Sequence, residues 1–239
     1  MAPVLVTEHA ALVHGACVAA AVVAGAAVFG SEVRRRGVAD ERLLVVVAGV
    51  LVGGALGMRA AGLVRLVDAG GPSLLVEAWT QGAKSVLGGL AGAYIGALVG
   101  KRLAGYQDRT GGLFAPAVAL GLAVGRIGCF LTEPVGRPTD LPWALHGAHP
   151  SFGYEFAFHV VAFVVLLRWR DRLADPADLL VGYLTAYALF RLWVETTRTN
   201  DVLALGLTGS QWVALLVLPL LLARSARIRP APRLQEVHT

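Results

Sequence analysis

The sequence contains few charged residues. Only 15% of its 239 residues are charged and 56% belong to the hydrophobic set, whereas about a quarter of an ordinary soluble domain is charged. This composition excludes a soluble domain with a fully hydrated surface. It is typical of a protein that crosses a membrane several times.

Cysteine is also scarce. The two cysteines, Cys17 and Cys129, both lie in hydrophobic runs. This number and spacing exclude a disulfide framework and predict no metal site. The sequence contains no internal repeat either, which disfavours the inverted-repeat transporters. We therefore expect neither a metal nor a cofactor.

Long hydrophobic runs, in contrast, are abundant. A transmembrane helix requires roughly 20 mostly apolar residues, and seven segments come near this length. They are Ala10–Gly30, Leu43–Leu63, Ser85–Val99, Leu113–Leu131, Phe152–Leu167, Leu179–Trp193 and Val202–Ala223. The sequence thus predicts an all-α polytopic membrane protein with about seven transmembrane helices. Residues 1–223 would form a single transmembrane domain, and residues 224–239 a basic cytoplasmic tail.

The basic residues cluster in alternate loops. Of the 21 cations, 14 follow the first, third, fifth and seventh predicted spans. The positive-inside rule assigns such loops to the cytoplasm. We therefore expect the N-terminus outside and the C-terminus inside. The same distribution explains the net charge of +5 without invoking nucleic acid as a partner; the expected partner of these loops is the lipid bilayer.

On the opposite side, ionisable and polar residues lie inside the predicted spans or at their mouths. They are Lys84, Arg126, Glu133, Arg137, His146, His149, Tyr154, Glu155, Arg191, Glu195, Arg198 and Gln211. Ionisable groups at membrane depth are costly and by default face a cavity that has a function. The pattern predicts a polar site near the outer leaflet.

Helical spacing brings some of these groups together. Arg191, Glu195 and Arg198 are separated by i, i+4 and i+7, which places them on one helix face. With Arg126 and Glu155, three arginines would face two glutamates, leaving excess positive charge for an anion. Arginine suits phosphate because its planar fork binds two oxygens. The alternative is that these groups only satisfy one another.

Two local features support this site. Ser151 follows Pro150 and could cap the fifth span as its N-cap, close to Tyr154 and Glu155. Glycines in the third span would let another helix or a ligand approach its backbone closely. They are Gly88, Gly89 and Gly92.

Four motifs carry a family resemblance. They are GRIGCFLTEPVGRPT, HPSFGYE, RLWVETTRTND and GLTGSQW, in this order between about Gly82 and Trp212. Together they resemble the signature of the prolipoprotein diacylglyceryl transferase family. The first 80 residues match only as hydrophobic spans.

The resemblance implies an enzyme of the bacterial inner membrane with seven spans. Such enzymes move the diacylglyceryl group of phosphatidylglycerol to the thiol of a lipobox cysteine next to the signal peptide of a prolipoprotein, and glycerol phosphate leaves. By resemblance, Arg126 and Arg191 would hold the phosphate, Gly136 and Arg137 would shape the outer mouth, and Glu195 would orient an arginine. The remaining substrate-binding candidates are Lys84, Cys129, Glu133, Tyr154 and Arg198.

Two positions depart from the family pattern. Leu87 stands where the family has a histidine, and Cys129 stands where it has an asparagine. Another group would then have to accept the thiol proton. His149 is the first candidate because a histidine titrates near neutral pH, and Glu155 is the second unless it positions an arginine. A different acceptor on the same scaffold and a non-catalytic phospholipid binder remain alternatives.

Overall fold

The computed structural model describes residues 8–63 and 86–231. These residues contain seven α-helices, a short 3₁₀ turn and one β-hairpin. The helices are α1 (Ala10–Arg36), α2 (Arg42–Leu63), α3 (Val86–Ala104), α4 (Gly111–Thr132), α5 (Ser151–Trp169), α6 (Asp178–Val194) and α7 (Gly209–Ser225). The 3₁₀ turn covers Glu195–Thr197, and the hairpin pairs β1 (Val202–Ala204) with β2 (Leu207–Thr208). The expected all-α polytopic architecture is confirmed.

Among the described helices, five are long and apolar enough to cross a membrane, namely α1 to α5. Helices α6 and α7 have 17 residues each, slightly below the usual length of a span. The bounds differ from the expected ones mainly at the helix ends. Helix α1 continues to Arg36 and α3 to Ala104, beyond their expected ends. The last turn of each contains basic residues, whose positive charge is stabilised by the negative end of the helix dipole.

The seventh expected span, Val202–Ala223, is wrong at its start. Val202–Ala204 is an extended strand that turns through Leu205 and Gly206, both at positive φ. Helix α7 begins only at Gly209, where Thr208 and Gln211 form a capping box with reciprocal side-chain-to-backbone hydrogen bonds. The hairpin therefore separates this helix from the 3₁₀ turn.

Residues 38–108 form one compact unit, which contains α2 and α3. The two helices pack with their backbones in close contact along facing glycines. A Cβ atom on Gly53 would lie 2.2 Å from the Gly92 carbonyl oxygen, and one on Gly96 would lie 1.9 Å from that of Gly49. Only glycine permits this approach, which is a common mode of helix packing in membranes.

The other compact unit comprises residues 1–37 and 109–239. Within it, α4 lies centrally and packs against α1, α5 and α6, and α6 packs against α7. Small side chains on α4 are fully buried, among them Ala115 and Ala119, which join Leu166, Leu179 and Tyr183 in a hydrophobic core. Because α4 is surrounded by helices, a charged side chain on it has to find partners inside the protein.

At the C-terminal end of α1, several arginines bind one buried carboxylate. Glu32 is 1% exposed and accepts hydrogen bonds from Arg35, Arg36 and Arg170. Nearby, the backbone of residues 229 and 231 pairs with the segment between α5 and α6. This network joins α1, α5 and the start of the basic tail.

Candidate functional site

Glu155 of α5 lies at the centre of the candidate site. Its side chain is fully buried and accepts hydrogen bonds from Arg191 at 2.7 Å and from Arg198 at 2.8 Å. It also forms an ion pair with Arg126 of α4. One carboxylate thus holds three guanidinium groups, one from α4 and two from the end of α6 and the residue that follows the 3₁₀ turn. We call Arg126, Glu155, Arg191, Glu195 and Arg198 the arginine cluster.

The second carboxylate of the arginine cluster is Glu195. Arg191 and Glu195 form an ion pair of 2.7 Å one helical turn apart, as their spacing predicts. Glu195 also accepts hydrogen bonds from Asn200 and from Thr208 at the base of the hairpin. Arg191 is therefore fixed from both sides, by α5 and by its own helix end.

The arginine cluster carries one positive charge more than its carboxylates neutralise. Arg126 and Arg191 are each 6% exposed, and their Nε atoms have no acceptor among the described residues. Burial, followed by the charge on Arg191, lowers the pKa of Arg198 below its usual value. A phosphate oxygen could accept hydrogen bonds from these buried donors, and its negative charge would neutralise the excess positive charge.

Neighbouring side chains fix the arginines further. The ring of Phe152 lies 4.3 Å from the guanidinium carbon of Arg198 and 5.7 Å from that of Arg126, within the range of cation–π interactions. Ser210, at the start of α7, accepts a hydrogen bond from Arg191 at 3.3 Å. Residues of four helices, α4 to α7, therefore form the cluster and its immediate surroundings.

Gly136 and Arg137 lie in a loop that packs over the 3₁₀ turn. The Gly136 N–H donates to the His149 carbonyl oxygen and the Arg137 N–H to the Thr197 carbonyl oxygen, both at 2.8 Å. Arg137 Nε donates to the backbone oxygen of Arg198. The family-derived expectation that this pair shapes the mouth of the site stays a prediction, but its contacts reach the backbone that carries Arg198.

Ser151 does not cap α5. Pro150 occupies the N-cap position without a side-chain hydrogen bond, and Ser151 is the first helical residue. Its hydroxyl instead bonds the carbonyl oxygen and the hydroxyl of Thr197. The expected cap is therefore replaced by a cross-link between α5 and the 3₁₀ turn.

His149 and Tyr154 lie beside the arginine cluster in an aromatic group of their own. Their side chains share a hydrogen bond of 3.3 Å, and Trp143 donates to the same tyrosine hydroxyl at 2.9 Å. Among the described residues, the His149 ring bonds Tyr154 and none of the arginines. Its role as the proton acceptor stays a prediction.

Cys129 and Glu133 lie one and two helical turns beyond Arg126. Arg126 Nη1 is 3.8 Å from the Cys129 sulfur, which links this residue to the arginine cluster. His14 of α1 joins the two residues, with the ligand atoms of all three within 4.8 Å of one another. Sequence reasoning missed His14 because no motif connects it to α4.

His159 is a second histidine that the sequence did not single out. It is fully buried, and its Nδ1 shares a hydrogen bond of 2.9 Å with the hydroxyl of Tyr183. The adjacent Tyr187 donates to Glu155 at 3.5 Å. The sequence did offer a signal for His159: it lies four residues after Glu155 on α5, so both side chains are on the same side of the helix.

Two further positions were singled out in the sequence, Lys84 and Leu87. Lys84 lies outside the described residues. Leu87 is buried in α3, in the unit formed by residues 38–108, and its apolar side chain cannot accept a proton.

Comparison with known proteins agrees with the motifs. The model of the prolipoprotein diacylglyceryl transferase family matches residues 4–224. The phosphatidylglycerol–prolipoprotein diacylglyceryl transferase of Chromohalobacter salexigens is 38% identical over 191 residues, which cover 73% of this chain and 69% of that protein. The protein of the same name from Methylococcus capsulatus is 34% identical over 191 residues, covering 73% and 70%.

A third relative matches a smaller part. The phosphatidylglycerol–prolipoprotein diacylglyceryl transferase of Mannheimia succiniciproducens is 36% identical over 157 residues, or 60% of this chain and 57% of that protein. The family match extends over the helices that build the arginine cluster and over most of the remaining sequence. The chain belongs to the prolipoprotein diacylglyceryl transferase family, a family of membrane enzymes of lipoprotein biosynthesis.

Proposed function

We propose that this protein transfers the diacylglyceryl group of phosphatidylglycerol to the thiol of a lipobox cysteine in a prolipoprotein. The names of its relatives give the donor and the acceptor. The observation that carries the proposal is the arginine cluster, in which three guanidinium groups face the carboxylates of Glu155 and Glu195 with one positive charge in excess.

The chemistry of the reaction fits such a cluster. The sulfur attacks the carbon of the diacylated glycerol that is bonded to the phosphate oxygen. A C–S bond forms there, and the bond between that carbon and the phosphate oxygen breaks. The electron pair leaves with the phosphate oxygen of glycerol phosphate, so negative charge grows on the phosphate in the transition state. Fixed guanidinium groups stabilise that charge without reorganising, and the acceptor thiol loses its proton to a base.

The residues divide into binding and positioning roles. Arg126 and Arg191 bind the phosphate through their free N–H groups, assisted by Arg198. Glu155 acts as a positioning residue, because ion pairs with three arginines suit it better to holding them than to accepting a proton. Glu195 positions Arg191. Glu133, Cys129, Arg137, Gly136 and Tyr154 complete the surroundings of the substrates.

The proton acceptor is proposed to be His149. It lies at the start of α5, is partly exposed, and is held by Tyr154. A neutral imidazole there can take the thiol proton as a general base. This assignment rests on the absence of a basic side chain at Leu87, where the family pattern has a histidine.

We further propose an orientation in the bacterial inner membrane. Seven spans, including the two 17-residue helices α6 and α7, would place the N-terminus outside and the C-terminus in the cytoplasm, as the loop charges favour. Residues 1–223 would then form one transmembrane domain, followed by the basic tail 224–239.

Reporter fusions test this orientation. Fusions ending after Arg36, Arg102 and Arg172 are expected to report the cytoplasm, and fusions after Pro142 and Asn200 the outer side. A cytoplasmic signal at either of the last two positions would contradict the proposed orientation, because both flank the arginine cluster.

Complementation tests the proposed function. In a bacterium depleted of its own transferase, expression of this protein is expected to restore growth and the mass increase of a reporter prolipoprotein. The Arg126→Ala variant, inserted at equal level, is expected to restore neither, since it lacks one phosphate-binding group. Unmodified prolipoprotein in the presence of correctly inserted wild-type protein would contradict the proposal.

Leu87 supports a second candidate, in which the same donor serves a different acceptor. The same depleted strain distinguishes the two candidate functions. Consumption of labelled phosphatidylglycerol without modification of any prolipoprotein would favour another acceptor, whereas no consumption would favour a non-catalytic lipid binder.

A further inference from the structure

Three potential metal ligands of different chemistry meet where α1 passes the end of α4. The imidazole of His14, the thiol of Cys129 and the carboxylate of Glu133 have ligand atoms that all lie within 4.8 Å of one another. Cys129 is buried, while His14 and Glu133 are partly exposed. The group therefore has a protected centre and a path by which an ion can reach it from outside.

Local structure explains why these residues converge. Cys129 and Glu133 are one turn apart at the end of α4, and the Glu133 N–H still donates to the Cys129 carbonyl oxygen at 2.8 Å, so both side chains lie on one face. Gly128 lets α1 approach: a Cβ atom there would lie 2.8 Å from the Cys17 Cβ and 3.5 Å from the His14 Cα. The packing of two helices thus fixes the position of the imidazole.

We propose that His14, Cys129 and Glu133 bind one divalent transition-metal ion, with Zn²⁺ as the best match. Zinc takes nitrogen, thiolate sulfur and carboxylate oxygen, usually in a tetrahedron with ligand atoms about 3.5 Å apart. The three ligand atoms lie within 4.8 Å of one another, so binding would require changes of side-chain rotamer that bring them closer together. Three protein ligands leave the fourth position to water.

The charges of the group suit a divalent cation. On binding, the thiol gives its proton to solvent and the thiolate bonds the metal, so thiolate and carboxylate together neutralise the ion. Among the described residues, Glu133 forms no ion pair with a basic side chain, and its carboxylate bonds the Cys129 thiol, the neighbouring ligand of the proposed site.

Such a site goes beyond the proposed transfer reaction, which requires no metal. It would fasten α1 to the end of α4 beside Arg126. Cobalt is the probe of choice, because a thiolate bound to Co²⁺ gives a charge-transfer absorption that carboxylates and imidazoles do not. The experiment uses the full-length protein, purified in detergent and freed of metal by a chelator.

The expected result is one equivalent of Co²⁺ bound with a thiolate charge-transfer band, release of about one proton, and displacement by Zn²⁺. Zinc is also expected to raise Tm, since a ligand that binds the native state stabilises it. Loss of a ligand in Cys129→Asn or His14→Gln is expected to weaken Co²⁺ binding by more than about 100-fold, because even residues that only orient a ligand contribute about 10- to 100-fold.

Cys17→Ala is the matched control. It removes the other cysteine, which lies on α1 next to Gly128, and leaves Cys129 as the only thiol. We expect it to keep the absorption band and the stoichiometry. Absence of the band in the wild-type protein, or a band that survives Cys129→Asn and disappears in Cys17→Ala, would overturn the proposal. So would Co²⁺ binding that is equal in the wild type and in both ligand variants, each shown by its metal-free Tm to be folded.

Discussion

Gly136 lies outside the arginine cluster but packs closely against the backbone that carries Arg198. A Cβ atom at this position would lie 2.2 Å from the Thr197 carbonyl oxygen and 2.3 Å from the Ser151 hydroxyl. The first contact is impossible without moving the backbone next to Arg198. We therefore expect Gly136→Ala to destabilise the protein by about 1–3 kcal/mol or more, the usual cost of overpacking.

Thermal unfolding in detergent measures this effect. Gly125→Ala on α4 is the control, because its added Cβ would meet only the Ala21 Cβ at 3.8 Å, an ordinary contact, and a glycine-to-alanine change favours a helix. A Gly136→Ala protein with the Tm of the wild type would show that the loop yields and that its close packing is unimportant.

At the residue scale, the sequence identified the arginines and the two glutamates but not which of them pair. Arg126 stands out because a charge in an apolar run is costly, and Arg191 and Glu195 because of their spacing. That Glu155 holds all three guanidinium groups depends on how α4, α5 and α6 pack, which no local pattern encodes. For the same reason His14 was missed: only the packing of α1 on α4 brings it to Cys129.

At the scale of elements, the packing of α2 against α3 gives a sharp contrast between adjacent residues. A Cβ atom on Gly53 would lie 2.2 Å from a backbone oxygen of α3, whereas one on Gly54 would have its nearest neighbours at 3.6 Å. We expect Gly53→Ala to separate the two helices and to lower Tm, and Gly54→Ala to leave Tm unchanged or raise it slightly.

The same pair can be followed by proteolysis of the protein in detergent. Gly53→Ala is expected to make the segment between residues 38 and 108 more susceptible than in the wild type. Equal behaviour of the two variants would mean that the glycine contacts do not hold α2 and α3 together.

The hairpin shows where the prediction of elements failed. The apolar residues around Val202 continue the hydrophobic pattern of α7, so composition alone extends the span too far. The signals that end it are Gly206 at positive φ and the Thr208–Gln211 capping box, and the spacing of that box is visible in the sequence. The hydrogen bond from Thr208 to Glu195 holds the backbone extended before the cap. This is a tertiary contact, which a local sequence pattern does not predict.

At the scale of the whole molecule, the fold class follows from a few physical constraints. Apolar runs of sufficient length have to form helices in a bilayer, since every backbone group must be satisfied internally. The sequence therefore predicts the helices and their order well. It does not predict that residues 38–108 form a compact unit of their own, because this depends on glycine contacts between α2 and α3.

The arginine cluster is proposed to stabilise the phosphate of the donor during transfer. Its most direct test is the initial rate at which the purified protein, in nanodiscs containing phosphatidylglycerol, modifies a lipobox peptide. Arg126→Ala is expected to lower kcat by about 100-fold or more, and Arg126→Lys to remain strongly impaired because a point charge cannot replace a planar fork. Arg42→Lys, a charge-conserving change at an exposed ion pair with Asp40, should keep the wild-type rate. Folded Arg126→Ala protein with a rate within about twofold of the wild type would contradict the claim.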